Sequence, residues 1–204
     1  MPYRQTEGFA KMLGEWGARI PSYTQICRRQ KELNIPLGVK YSNDKLVDIA
    51  IDSTGIKAFN RGEWIRQKWA LRMGWVKLHI TFDITNHIII SVQITYEHEA
   101  DGKEFSKLVD GAKDIIGKIS SVFGDSAYDS RTTFNYTASV GAEPVIKPKI
   151  NSSGKSRVET VFSSLKRIIG EHFTSILDSG INNEILAKVY VYNIVEASRN
   201  GYRL

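Results

Sequence analysis

The chain has 204 residues, 42% hydrophobic and 25% charged, which suits one sizeable globular domain and excludes a disordered tail or a fibrous repeat. Its 28 Lys and Arg against 22 Asp and Glu leave a net charge of +6, compatible with a polyanionic partner without establishing one. Met1–Ala10 lacks the apolar run of a signal peptide, and no apolar stretch approaches the ~18 residues that span a bilayer, so a cytoplasmic protein without a membrane partner is expected.

In chain order, residues 1–45 read as a small helical segment. Phe9, Met12, Leu13 and Trp16 give a helical spacing over Glu7–Trp16. A second helix starts at Ser22 as N-cap, with Ile26 and Leu33 facing inward. Cys27 lies on this helix as the single cysteine, which excludes an intrachain disulfide and a thiolate zinc cluster; a buried or half-buried thiol is expected. Eight Lys and Arg against four Asp and Glu fall in this segment. Arg28, Arg29 and Lys31 make the second helix either a DNA-contacting helix or a solvated basic face. Asn34–Gly38 breaks the pattern as a linker.

From residue 46 the pattern becomes β-rich. Leu46–Asp52 reads as a buried strand that ends at Asp52. Val76–Ile84 and Ile88–Thr95 form two more strands around a turn at Asn86-His87. Asp101–Ile116 is helical with Asp101 as N-cap, Ser120–Phe123 is a short strand, and Ser130–Val140 is a helix. Glu143–Ile146 is another short strand. Ser156–Ile169 and Asn182–Ser198 are helices. Short connections make the first three strands antiparallel, and helical crossovers make the later ones parallel. The expected fold is α/β: a mixed five-stranded sheet flanked by helices over 46–204, preceded by the small helical segment.

Three acids stand where chemistry gathers in such folds. Asp52 closes the first strand and Asp125 follows the fourth, at the carboxyl ends of strands near a reversal of strand order. If those strands are neighbours, the two carboxylates face each other and need a proton or a cation between them. Mg²⁺ suits an all-oxygen site that also engages substrate phosphates. Glu159, three residues before Phe162 on the core-facing edge of its helix, supplies a third carboxylate. Two ions ~4 Å apart on such a trio would support phosphodiester chemistry. Each acid alone is also explained by a turn, a cap or the helix dipole.

The stretch from Lys57 to Lys77 carries Lys57, Arg61, Arg66, Lys68, Arg72 and Lys77 against the single acid Glu63, with Trp64, Trp69 and Trp75 interleaved. Either the cations track phosphates while the indoles stack on bases, or a twisted hairpin tucks its tryptophans into the core. His79 lies within a strand and reads as a core histidine.

These residues fall in a familiar order. Asp52-Ser53-Thr54-Gly55-Ile56-Lys57, Arg61-Gly62-Glu63-Trp64 and Trp75-Val76-Lys77-Leu78-His79 resemble the first catalytic block of prokaryotic insertion-sequence transposases of the DDE class, of the insertion-sequence-five type. Gly124-Asp125-Ser126-Ala127-Tyr128-Asp129 resembles the second block, and Arg157-Val158-Glu159-Thr160-Val161-Phe162 with Leu165-Lys166 resembles the third. Tyr3–Phe9 and Pro21–Thr24 are similar to the region that precedes that domain.

The resemblance implies a ribonuclease H-like fold and a transposase that nicks element ends and transfers the freed 3′-hydroxyl to target DNA. It implies Asp52, Asp125 and Glu159 as catalytic residues and ligands of two Mg²⁺ ions, with Mn²⁺ able to substitute. Double-stranded DNA, as element ends and target, is the implied partner, and a homodimer the implied synaptic complex, associated with the nucleoid. Lys57, Arg61, Trp64, Lys68, Lys77, Lys155, Arg157 and Lys166 are the expected DNA-binding residues. Related elements carry Tyr, two residues, Arg, three residues, Glu, six residues, Lys. Here Glu159 and Lys166 fit, but Ser152 and Lys155 occupy the Tyr and Arg places. Lys155 keeps the charge without the bidentate fork. The amino-terminal region is expected to be shortened. The alternatives are an inactive, truncated DNA-binding remnant, a ribonuclease H-like nuclease without strand transfer, and a basic structural protein whose acids are all caps.

Overall fold

In the computed structural model the described residues are 3–12, 19–30, 32–33, 35–41, 45–58, 75–96, 101–146, 157–173, 175 and 178–201. The side chains of Ala58, Tyr96, Asp101, Arg157–Thr160 and Ile169 lie outside this description.

The apolar run at the start of β1 (Leu46–Ala58) makes it the middle strand of the sheet. β2 (Trp75–Asp83) and β3 (Ile89–Tyr96) follow it as an antiparallel meander. On its other side lie β4 (Lys118–Gly124) and β5 (Glu143–Ile146), both parallel, giving the path β3-β2-β1-β4-β5. Pro144 is tolerated because β5 is the last strand of that path, where a missing N–H donor costs little. A two-residue strand, β6 (His172–Phe173), pairs in parallel with the far end of β1.

Side-chain alternation divides the sheet into two faces. Val47, Ile49 and Ile51 pack with Leu108, Val109 and Ala112 of α3 (Phe105–Ile116). Ala50 and Ile56, with Val76, Leu78, Ile80 and Phe82 of β2, pack instead under α5 (Arg157–Ile169) and α6 (Asp178–Asn200). A bulge interrupts the β1–β4 ladder: Val47 pairs with Ile119 but Ile49 pairs with Val122, so β4 carries one extra residue there. Ile119 and Val122 consequently point to the same face although they are three apart.

α1 (Tyr3–Met12) and α2 (Tyr23–Gln30) pack on each other, with Glu7 Oε2 accepting from Tyr23 N at 2.7 Å and the Arg4 guanidinium 4.8 Å from the Tyr23 ring centroid. The chain then runs along α6. Gln30 Nε2 donates to Gly180 O, Asn193 Nδ2 donates to Leu37 O, and Tyr41 OH donates to Asp83 Oδ2. Gly38 takes φ +72° directly over the Tyr190 ring, where a Cβ would come within 2.5 Å of a ring carbon. α4 (Arg131–Ser139) is capped by Ser130, whose hydroxyl accepts from Thr133 N.

Several expectations need correction. The first helix spans Tyr3–Met12, and Phe9 and Met12 are exposed; Leu13 and Trp16 lie outside the described residues. Leu33 is exposed as well, and so is the thiol of Cys27. The two short helices pack on each other without fully burying any residue, so these side chains have no core to fill. Asp101 does not cap α3: residues 101–103 form a single 3-10 turn and Glu104 takes the N-cap position without a side-chain hydrogen bond. β1 does not stop at Asp52. It continues six residues further because β2 pairs with it as far as Lys57. Among the described residues no helix is long and apolar enough to cross a membrane.

Candidate active site

Asp52 lies in mid-strand, and its place follows from register. β1 and β4 end their pairing at Ile51–Gly124, so the next residue on each strand is an aspartate. Asp125 keeps an extended backbone, φ −80° and ψ −178°, and therefore continues the alternation of β4. Ala50 and Phe123, paired one position earlier for each strand's alternation, both face the α5 side. Alternation turns Asp52 and Asp125 back to that same face, each one residue past the Ile51–Gly124 pair of two strands ~4.8 Å apart.

Each aspartate spends one oxygen on local backbone. Asp52 Oδ1 accepts from Ser53 N at 2.7 Å, and Asp125 Oδ1 accepts from Ala127 N at 2.9 Å, capping the 3-10 turn Ser126–Tyr128. Such bonds fix the carboxylate planes. Asp52 is half-buried and Asp125 exposed.

A cleft of about 480 Å³ opens between β1 and α5. Its floor is Asp52 and Thr54, two residues apart and so on one face of the strand. Its wall is Phe162, Ser163, Lys166 and Arg167 of α5, and Glu171 closes the far end. Glu159 stands on α5 one turn before Ser163 and two before Lys166, in the helical row those residues continue. Its side chain is outside the described residues. Among the described residues no three His, Cys, Asp or Glu cluster as metal ligands.

β6 anchors the far end of the cleft. Lys57 N donates to Glu171 O at 3.1 Å, Lys188 Nζ donates to His172 O at 2.5 Å, and Glu184 Oε2 accepts from both Ser175 N and Ser175 Oγ. Burial pushes the Lys188 ammonium below its usual range, against the pull of Glu184.

Asp52 and Lys166 thus share one cleft, with Asp125 aligned beside Asp52. Lys57 and Lys77 do not join them. They pair with Trp75 and Gly55 at odd positions of the β1–β2 ladder, whereas the even ones, Ile56 and Val76, face α5, so both lysines belong to the opposite face. Arg61, Trp64, Lys68 and Lys155 lie outside the described residues, and Arg157 is described only as the first residue of α5. Trp75 packs over Gly55, where a Cβ would sit 3.1 Å from the ring. His79 is a core residue, buried and sharing a hydrogen bond with Thr95 Oγ1 at 2.7 Å. Thr54, Ser163, Arg167 and Glu171 escaped the reading of the sequence. Periodicity held the signal for three of them: Thr54 is two residues past Asp52 on a strand, and Ser163 and Arg167 lie four and eight past Glu159 on a helix.

Residues 44–156 match the family Transposase DDE domain, and residues 1–61 match a second family of that description. A chain in a structure of the simian T-cell lymphotropic virus intasome, in complex with PP2A regulatory subunit B56 gamma, is similar with a TM-score of 0.51 and 16% identity, over 93% of this chain and 67% of that one. The catalytic core domain of BIV integrase aligns over 76% of this chain and 99% of that one, at 10% identity and a TM-score of 0.40. The expected ribonuclease H-like fold, a mixed sheet with helices on both faces, is the one found. The first family match alone spans more than half of the sequence, and the chain belongs to the transposases of the DDE class.

Proposed function

We propose that this chain is the catalytic part of an insertion-element transposase, which cleaves DNA at the element ends and joins the freed 3′-hydroxyl to target DNA. The observation that carries the reading is the alignment of Asp52 with Asp125 on the sheet face that α5 covers. In this reading Asp52, Asp125 and Glu159 are the catalytic carboxylates.

Members of the DDE class generally use divalent metal ions. The donor set here fits a hard cation: two aspartates with oriented carboxylates and a glutamate on the facing helix, without thiolate or imidazole. Mg²⁺, as two ions with Mn²⁺ able to substitute, is the species we assign to them. Bound there, the pair would activate a water or 3′-hydroxyl and stabilise the leaving oxygen of the phosphodiester. The chain's own residues supply the rest. Asp52 and Asp125 are oriented by their backbone partners, and Lys166 offers an ammonium to a phosphate beside the transferred end. Residues 46–204 form the catalytic domain in this scheme. Residues 1–45 add a DNA-contacting unit through Arg28 and Arg29, both exposed on α2. The working assembly is a homodimer on two element ends, at the nucleoid.

Plasmid nicking and strand transfer with Mg²⁺ or Mn²⁺ test this. Asp52→Ala, Asp125→Ala and Glu159→Ala should each abolish both reactions, with joined products distinguishing a transposase from a plain nuclease. Metal-dependent cleavage that survives all three substitutions would overturn the assignment. Salt-sensitive DNA binding by an inert parent would favour a non-catalytic remnant.

A further inference from the structure

Arg167 is an exposed cation with no ion pair among the described residues, although an acid stands four positions on. On α1 and α6 an acid four positions before a lysine pairs with it: Lys11 with Glu7 at 2.6 Å and Lys188 with Glu184 at 3.7 Å. After Arg167 the order is reversed, and between cation and acid stands Gly170. It ends α5 with φ +81° while its N–H donates to Lys166 O at 2.8 Å, a left-handed stop that suits glycine. The chain then turns away, and Glu171 O is claimed by Lys57 N of β1. Glu171 is drawn off the helix, and Arg167 is left lining the same cleft as Thr54.

β1 and α5 run side by side along this cleft, from Asp52 and Ser163 at one end to Lys57 and Glu171 at the other. Thr54 is ~6.6 Å further along β1 than Asp52, about the rise of two nucleotides on one strand. We infer that Thr54 and Arg167 form a phosphate seat, distinct from the carboxylates and from Lys166, for the DNA strand one or two nucleotides from the scissile bond. This rests on the cleft being the strand-transfer site. The ligand is a phosphodiester oxygen, which takes the guanidinium fork from one wall and the threonine hydroxyl from the floor. Glu171 ends the track, since a carboxylate repels the next phosphate.

The bland role for a cation here is to complement the dipole at the end of α5. Such a role would affect stability alike with any DNA. The test is therefore a phosphate-by-phosphate one. Element-end duplexes, each carrying a single neutral methylphosphonate at one position around the cleavage site, are titrated by fluorescence anisotropy against the parent, Arg167→Gln, Arg167→Lys and Thr54→Val. In the parent, one position one or two nucleotides from the scissile phosphate should lose about tenfold in affinity when neutralised. Arg167→Gln should show the same loss on unmodified DNA and no further loss at that position. Its salt slope should fall by ~0.9. Arg167→Lys should lie between, having the charge without the fork, and Thr54→Val should repeat the position-specific effect more weakly. Equal sensitivity of parent and Arg167→Gln at every position overturns the seat while leaving the carboxylate assignment intact, because binding is read without cleavage. A parent that binds no DNA overturns both.

Discussion

Replacing Asp125 with asparagine removes one of two aligned negative charges while keeping an oxygen to accept from Ala127 N. Neighbouring strands put the two carboxylates ~5 Å apart. Unit charges at that distance repel by about 0.8 kcal/mol in a water-like medium and about 3 kcal/mol at an effective dielectric of 20. Asp125 is exposed and Asp52 half-buried, so solvent screening brings the expectation near the lower figure, about 1 kcal/mol. In EDTA, Asp125→Asn should therefore melt about 2–4 °C higher than the parent. Mg²⁺ should reverse the order. At a hundred times its dissociation constant an ion that binds only the folded parent contributes about 2.7 kcal/mol, raising the melting temperature by about 5–10 °C. The variant, short of a ligand, should gain much less. Differential scanning fluorimetry across a Mg²⁺ titration measures both effects. A variant no more stable than the parent in EDTA, or one that gains as much from Mg²⁺, would refute the electrostatic reasoning.

Asn193→Leu should cost about 2–4 kcal/mol by urea titration. The asparagine is fully buried, donates to Leu37 O and Ile89 O and accepts from Ile89 N, and an isosteric leucine leaves all three without it; a loss below about 1 kcal/mol would mean the backbone groups find other partners. The fold should also weaken in alkali. Burial, then the bond to Asp110, pushes the Tyr136 phenol from 10.0 up to about 12, and burial raises Tyr192 further. A raised folded value means that the unfolded chain sheds the proton first, so stability present below pH 10 is lost as pH rises towards about 12. Tyr136→Phe should flatten that decline in urea midpoint, and an unchanged slope would exclude Tyr136 as a source.

The sense of the strand pairings was legible because it depends on pattern, while the facing of Asp52 and Asp125 was legible only on the condition that β1 and β4 are neighbours. Short connections dictated the meander, and helical crossovers dictated parallel strands. The extent of β1 was not legible. Ser53-Thr54-Gly55 reads as a turn by local propensity, yet nine pairings with β2 hold it extended, and Gly55 serves to admit the Trp75 ring. β6 could not be read from two residues, since its existence depends on backbone bonds to β1 and a lysine from α6. The cleft wall required knowing which strand face α5 covers. That in turn fixed the failure of Lys57 and Lys77 to join Asp52: Lys57 follows the acid on the same strand and Lys77 pairs with Gly55, yet strand parity separates both from it.

The extra residue in β4 has a further consequence. Counting forward from Val47–Ile119 without it, Asp52 would stand level with Gly124, and Asp125 would project from the opposite side of the sheet. The distance between the two acids is therefore not an adjustable quantity. A ladder admits whole-residue steps only, so deleting the surplus residue ahead of Val122 would leave Val122 opposite Ile49 and the acids aligned, whereas a one-residue change between Val122 and Asp125 would turn the second acid to the other side of the sheet. What varies smoothly elsewhere in the molecule is here digital, and the unbroken pairing from Ile49–Val122 to Ile51–Gly124 holds the setting.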